Sequence, residues 1–126
     1  MNLLKKLLLT ASLLMPLLAH AIGEPYTQKK LDTLNQAGQP ALVLIVADWC
    51  GTCRAQEKIL GELLPGNEFK NITALRVDFD MQKDVVRRFH VRYQSTLIVF
   101  KGGAEVARVT AETDRDAIAA LLRRAL

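Results

Sequence analysis

Two side chains in this sequence could do chemistry as a pair, Cys50 and Cys53, and they are its only cysteines. They flank Gly51 and Thr52 in "IVADWCGTCRAQEK", Ile45 to Lys58, directly after an aliphatic run. Thiols so spaced can form a structural bridge, half of a metal site, or a reversible redox switch. A bridge closing so small a loop removes little entropy from the unfolded chain, so stability alone is a poor reason for it. A structural zinc site takes four ligands, commonly two such pairs or one pair with histidines. Here there is one pair, His20 falls in a segment expected to be removed, and His90 alone remains. Redox exchange is what the pair can carry by itself. A thiolate attacks a disulfide sulfur, and a second thiol nearby resolves the mixed intermediate.

That chemistry depends on the elements that hold the pair. Ala41 to Ala47, "ALVLIVA", reads as a strand buried on both faces. Ile59, Leu60, Leu63 and Leu64 then recur at helical spacing until Pro65-Gly66. Cys50 is therefore expected, exposed, at a helix N-terminus, where unpaired N–H groups and the positive end of the dipole stabilise a thiolate. Cys53 lies one turn further in and is expected to face the domain. Gly51 and Thr52 leave room for an incoming sulfur, and Trp49 offers a flat apolar surface beside it.

The rest of the chain alternates helix and strand. "PYTQKKLDTLNQAGQP" reads as a helix with Leu31 and Leu34 on one face. Ile72 to about Phe79 is a second strand, after which Asp80 can cap a short helix burying Val85, Val86 and Phe89. "TLIVFKGGAEVARVT" is a hairpin around Gly102-Gly103. Thr113 and Asp116 can start a last helix burying Ile118, Leu121, Leu122 and Ala125. This order argues for an α/β domain, a mixed sheet with helices on both faces.

The N-terminus carries an address. Lys5 and Lys6 precede an apolar stretch from Leu7 to Leu18, and Ala19-His20-Ala21 has the pattern of a signal-peptidase site. The stretch is shorter than the roughly 20 residues of a membrane span. Residues 1–21 are expected to be a cleaved secretory signal, and 22–126 one domain. The remaining 15 basic and 13 acidic residues give +2, spread along the chain, which leaves no footprint for nucleic acid.

"ADWCGTC" resembles the active-site motif of the thioredoxin superfamily, whose usual form is W-C-G-P-C after a hydrophobic strand. The resemblance covers nearly all of 22–126, through "AGQPALV", "RVDFD" and "STLIVFKGG", and points to secreted bacterial members, including the soluble C-terminal domain of the transmembrane disulfide reductase. It implies a thioredoxin-like mixed sheet and a monomeric periplasmic thiol–disulfide oxidoreductase. Cys50 would attack and Cys53 resolve, and Trp49, Gly51, Thr52, Gln94, Ser95 and Thr96 would line the groove for protein thiols and disulfides. A membrane disulfide reductase is the implied electron donor, and no cofactor or resident metal is called for. With no room for the helical insertion of dedicated oxidases, a reductase or isomerase-like role is favoured over an oxidase.

The departures from the family pattern are equally specific. Ser95 stands where the family has a cis-proline facing the cysteines. A trans Gln94–Ser95 peptide is expected, with the Ser95 hydroxyl near Cys50, and Ser95→Pro should cost little if the Ser95 N–H is free. Leu44 stands in place of a buried aspartate, Thr52 in place of a proline, and Arg76 is expected to turn outward. Loss of that proline is associated in the superfamily with metal or iron–sulfur binding. A binding module using the same two cysteines is therefore the alternative.

Overall fold

A strand with every side chain buried needs cover above and below, and that requirement shapes the domain around Ala41–Val46, whose six residues are all buried. The computed structural model describes residues 21–126, so the expected signal segment, Ala21 apart, lies outside the described residues. In chain order the elements are β1 (Glu24–Pro25), α1 (Gln28–Gln36), β2 (Ala41–Val46), α2 (Gly51–Leu63), β3 (Thr73–Asp78), α3 (Lys83–Arg88), β4 (Thr96–Lys101), β5 (Ala104–Thr110) and α4 (Arg115–Arg123). The strands form one sheet in the order β1-β3-β2-β4-β5. β3 runs parallel to β1 and β2, and β4 runs antiparallel to β2 and β5.

Alternation along the central strands splits the core in two. Leu42, Leu44, Leu97 and Val99 face Cys53 and Leu60 of α2 and Ile118 and Leu122 of α4. Val43, Ile45, Leu75, Val77 and Ile98 face Leu31 of α1 and Val85 and Val86 of α3. Leu60 and Leu122 are fully buried, and burial of each contributes about 2 kcal/mol. The mixed sheet with helices on both faces follows the expectation, and among the described residues no helix is long and apolar enough to cross a membrane.

The differences lie at the ends of elements. β1 has two residues, too few for a periodic pattern, and its Pro25 is tolerated because the strand lies at the sheet edge. The Tyr26 N–H continues the pairing to the Arg76 carbonyl at 2.8 Å, and the Tyr26 ring packs edge-on against Phe89, 5.6 Å between centroids. Asp80 does not cap α3, whose N-cap is Gln82 without a side-chain bond. The Asp78 carboxylate instead accepts the N–H groups of Asp80 and Met81, each at 2.9 Å, and the turn delays the helix. At α4 the cap is Asp114 and not Thr113, with its carboxylate accepting the Ala117 N–H at 2.9 Å. The hairpin falls where expected. Gly102 and Gly103 have φ of 59° and 85°, the two left-handed residues that a two-residue turn between twisted strands requires.

Candidate active site

β2 ends at Val46 and α2 begins at Gly51, and the chain turns between them on Ala47 to Cys50. The Cys50 N–H donates to the Ala47 carbonyl at 3.1 Å. Cys50, at φ −87° and ψ 107°, is the N-cap of α2, and its Sγ accepts the N–H of Cys53 at 3.0 Å. That N–H is one of the donors a helix start leaves unpaired, so sulfur here does the work of the usual capping oxygen. Cys50 and Cys53 are joined in a disulfide with their Cα atoms 5.3 Å apart. Both are buried, at 3 % and 1 % exposure, so Cys50 is not the exposed residue expected. Its bond to a residue one turn further in draws it into the apolar cluster that holds Cys53, Ala47 and Leu97.

The loop ahead of β4 is tied to the same place. Cys53 Sγ lies 4.0 Å from the Ile45 carbonyl oxygen, and the Ser95 N–H donates to that oxygen at 2.7 Å. The Gln94–Ser95 peptide is trans, and Ser95 has a left-handed φ of 57°. Its hydroxyl donates to the Gln94 carbonyl at 2.6 Å, which turns it onto the backbone instead of towards Cys50. Thr96 is buried too, its Oγ1 donating to the Tyr93 carbonyl at 2.8 Å and lying 2.9 Å from Thr110 Oγ1. Of the six expected groove residues, Trp49 and Gly51 are exposed, Thr52 and Gln94 are half-buried, and Ser95 and Thr96 lie beneath the surface.

Three contacts at the site had no forecast in the sequence. Trp49, 60 % exposed, donates its indole N–H to Asp80 Oδ2 at 2.7 Å, which fixes the ring beside Cys50. The buried amide of Gln56 donates to the Ser95 and Glu112 carbonyls, each at 3.0 Å. Arg76 does not turn outward. It pairs with Glu57 of α2, and both side chains are about one-fifth exposed. Gln56 had a readable signal, a polar residue on the helix stripe that carries Cys53 and Leu60. The other two pairs had none.

Arg76 lies opposite Leu44 in the β2–β3 register, and Leu44 is 1 % exposed. A groove of about 420 Å³ runs along α2 between Asp48, Arg54, Glu57, Lys58 and Arg76, and neither cysteine lines it. His90 is exposed beyond the end of α3. Among the described residues no group of three or more His, Cys, Asp or Glu side chains could hold a metal ion.

The family model described as Thioredoxin matches residues 25–124. The chain belongs to the thioredoxin family. It is 30 % identical over 100 residues to Thioredoxin H2-1 of Oryza sativa subsp. japonica, covering 76 % of this chain and 70 % of that protein. It is 35 % identical over 85 residues to a thioredoxin of Chlamydia trachomatis, covering 66 % of this chain and 81 % of the other. The solved structure of Trxlp from Edwardsiella tarda superimposes with a TM-score of 0.76 at 36 % identity, covering 78 % of this chain and 95 % of that one. With its cysteine pair at the head of α2, this thioredoxin-family protein is a thiol–disulfide oxidoreductase.

Hydrogen bonds hold Ser95 where the resemblance placed a proline ring, and this reverses the expectation for Ser95→Pro. The Ser95 N–H is not free, and φ of 57° is closed to proline. Ser95→Pro is expected to destabilise by about 2–4 kcal/mol, through loss of a buried hydrogen bond and the wrong φ. Ser95→Gly, which suits the left-handed backbone, should stay within about 1 kcal/mol of wild type. Denaturant midpoints of the two variants check this, and a proline variant as stable as wild type would contradict it.

Proposed function

We propose that this protein is a periplasmic thiol–disulfide exchanger, acting on protein partners as a reductase or isomerase-like enzyme more than as an oxidase. The observation that carries the reading is the Cys50 N-cap. Its Sγ accepts the Cys53 N–H at 3.0 Å at the start of a 13-residue helix, a position that stabilises negative charge on that sulfur. Large apolar side chains stand exposed on the segments around it. They are Trp49 (60 %), Met81 (83 %), one residue from the Asp80 that holds Trp49, and Tyr93 (65 %), two residues before Ser95. Such a rim around a site that is not a cavity suits docking of a protein surface.

In the reduced protein the Cys50 thiolate attacks a partner disulfide. One partner sulfur bonds to Cys50 and the other leaves as a thiolate. Cys53 then attacks Cys50 Sγ, so the Cys50–Cys53 bond forms as the mixed bond breaks and the second partner sulfur departs. Two electrons pass to the partner, whose two sulfurs leave as thiolates and take up the Cys53 proton and one proton from water. With Leu44 buried where the family has an acid, the Cys53 proton passes to the departing thiolate or to water. Gly51, exposed beside Cys50, is where a partner sulfur would approach, and the half-buried Gln94 next to Ser95 offers an edge to the partner chain.

Return to the dithiol state needs an electron donor, and a membrane disulfide reductase fits an oxidising compartment. The reductive direction is supported by the short connections, of which the longest, between α2 and β3, runs from 64 to 72. Export is supported by Lys5, Lys6, the apolar stretch and Ala19-His20-Ala21. Ile22 already packs against the core cluster, which suits a domain beginning there.

Three measurements check the proposal. Intact mass of exported protein should begin at Ile22, and material retaining Met1 would refute processing there. Cys53→Ser should accumulate mixed disulfides with partners through Cys50, whereas Cys50→Ser should accumulate few. Equal trapping, or the reverse order, would overturn the assignment of roles. Equilibration with glutathione buffers should place the potential nearer about −270 mV than about −120 mV. A value at the oxidising end would make the protein an oxidase.

A further inference from the structure

Gln56 is the one buried side chain on α2 whose polarity the packing does not need. It is 1 % exposed, three residues after Cys53, on the same helix face as Cys53 and Leu60. An apolar residue would fill that place, and a buried amide is tolerated only when its hydrogens are satisfied. Both Nε2 hydrogens are accounted for, one by the Ser95 carbonyl and one by the Glu112 carbonyl, each at 3.0 Å.

What those two carbonyls belong to gives the amide its meaning. Ser95 and Ala111 are non-glycine residues with left-handed backbone, φ 57° and 59°. They are hydrogen-bonded to one another, the Ala111 N–H donating to the Ser95 carbonyl at 2.9 Å. Such conformations persist only where the surroundings over-determine them, and they gather at functional sites. Glu112 follows Ala111 directly. Gln56 thus bridges the two strained segments and fastens both to the helix that carries the cysteines. The two peptide units that flank the Ser95 Cα are then both held, one by the Ile45 carbonyl on the Ser95 N–H and the other by Ala111 and Gln56 on the Ser95 C=O.

We infer that Gln56 is a positioning residue for disulfide exchange with protein partners. Its amide holds the 94–96 and 111–112 backbone at a set distance from Cys50–Cys53, the task for which the thioredoxin pattern uses a proline ring. This rests on the reading of the protein as a protein-disulfide exchanger. A partner chain lying along Gln94 meets a fixed edge, whereas a small dithiol reaches the sulfurs without touching that edge. Gln56 should therefore matter for proteins and not for small thiols, a split that a residue serving stability alone would not produce.

The test compares wild type with Gln56→Leu and, in case leucine does not fold there, Gln56→Met. Reaction of each reduced protein with insulin disulfides is measured beside reduction of each oxidised protein by dithiothreitol, and the reduction potential is read in the same buffers. The rate on insulin is expected to fall about tenfold or more, as misplaced docking groups cause, with the dithiothreitol rate and the potential close to wild type. An insulin rate unchanged in a folded variant, or equal losses on both substrates, would overturn the assignment. A wild-type protein that exchanges with dithiothreitol but not with insulin would sink the protein-partner reading itself, and this proposal with it.

Discussion

The carbonyl oxygen of Ile45 registers three parts of the molecule against one another. It belongs to the strand that crosses the centre of the sheet, it accepts the Ser95 N–H at 2.7 Å, and it stands 4.0 Å from Cys53 Sγ. Strand, redox helix and facing loop are therefore indexed to one atom that cannot move without the sheet. A sheet centre buried on both faces is among the most rigid parts of a domain, so the reactive pair inherits its position from the core and not from its own loop. The N-cap geometry of Cys50 follows from the same placement, because the turn through Ala47 starts where that strand stops.

The underside of α2 differs from the family pattern in a coherent way. Leu44 removes an ionisable group from the core, and Arg76, its register neighbour on β3, is met by Glu57 from the helix above. A partly buried pair of this kind is costly to break on one side, because the remaining charge is left without a partner. The charge of Arg76 is thus balanced in place, and the helix carrying Cys50 is tied to β3 as well as to the loops that Gln56 holds.

Much of this was legible in the sequence because it depends on short-range pattern. The apolar run at 41–47, the helical spacing of Ile59 to Leu64 and the Gly102-Gly103 turn each imply one local structure, and their order implies the sheet. The cysteines were found from type and spacing alone. Contacts made by long side chains across the fold were not legible. Whether Asp80 caps a helix or receives an indole N–H depends on a loop 31 residues away, and Arg76 has a partner only once α2 is laid over β3. Caps were misplaced by small margins for a similar reason. Asp114 and Thr113 are both plausible, and the backbone angle that selects Asp114 is set by the turn before it. The fate of the Ser95 N–H depended on the strand it would meet, and residue identity carries no record of that.

Trp49 is the only tryptophan in the chain, it directly precedes Cys50, and Asp80 pins its ring. An excited indole is quenched by a neighbouring disulfide, which accepts an electron from it, and is quenched far less by a pair of thiols. Oxidised and reduced molecules should therefore differ in brightness without any dye or tag. Because no second indole dilutes the signal, the protein carries a built-in optical gauge of its own electron count.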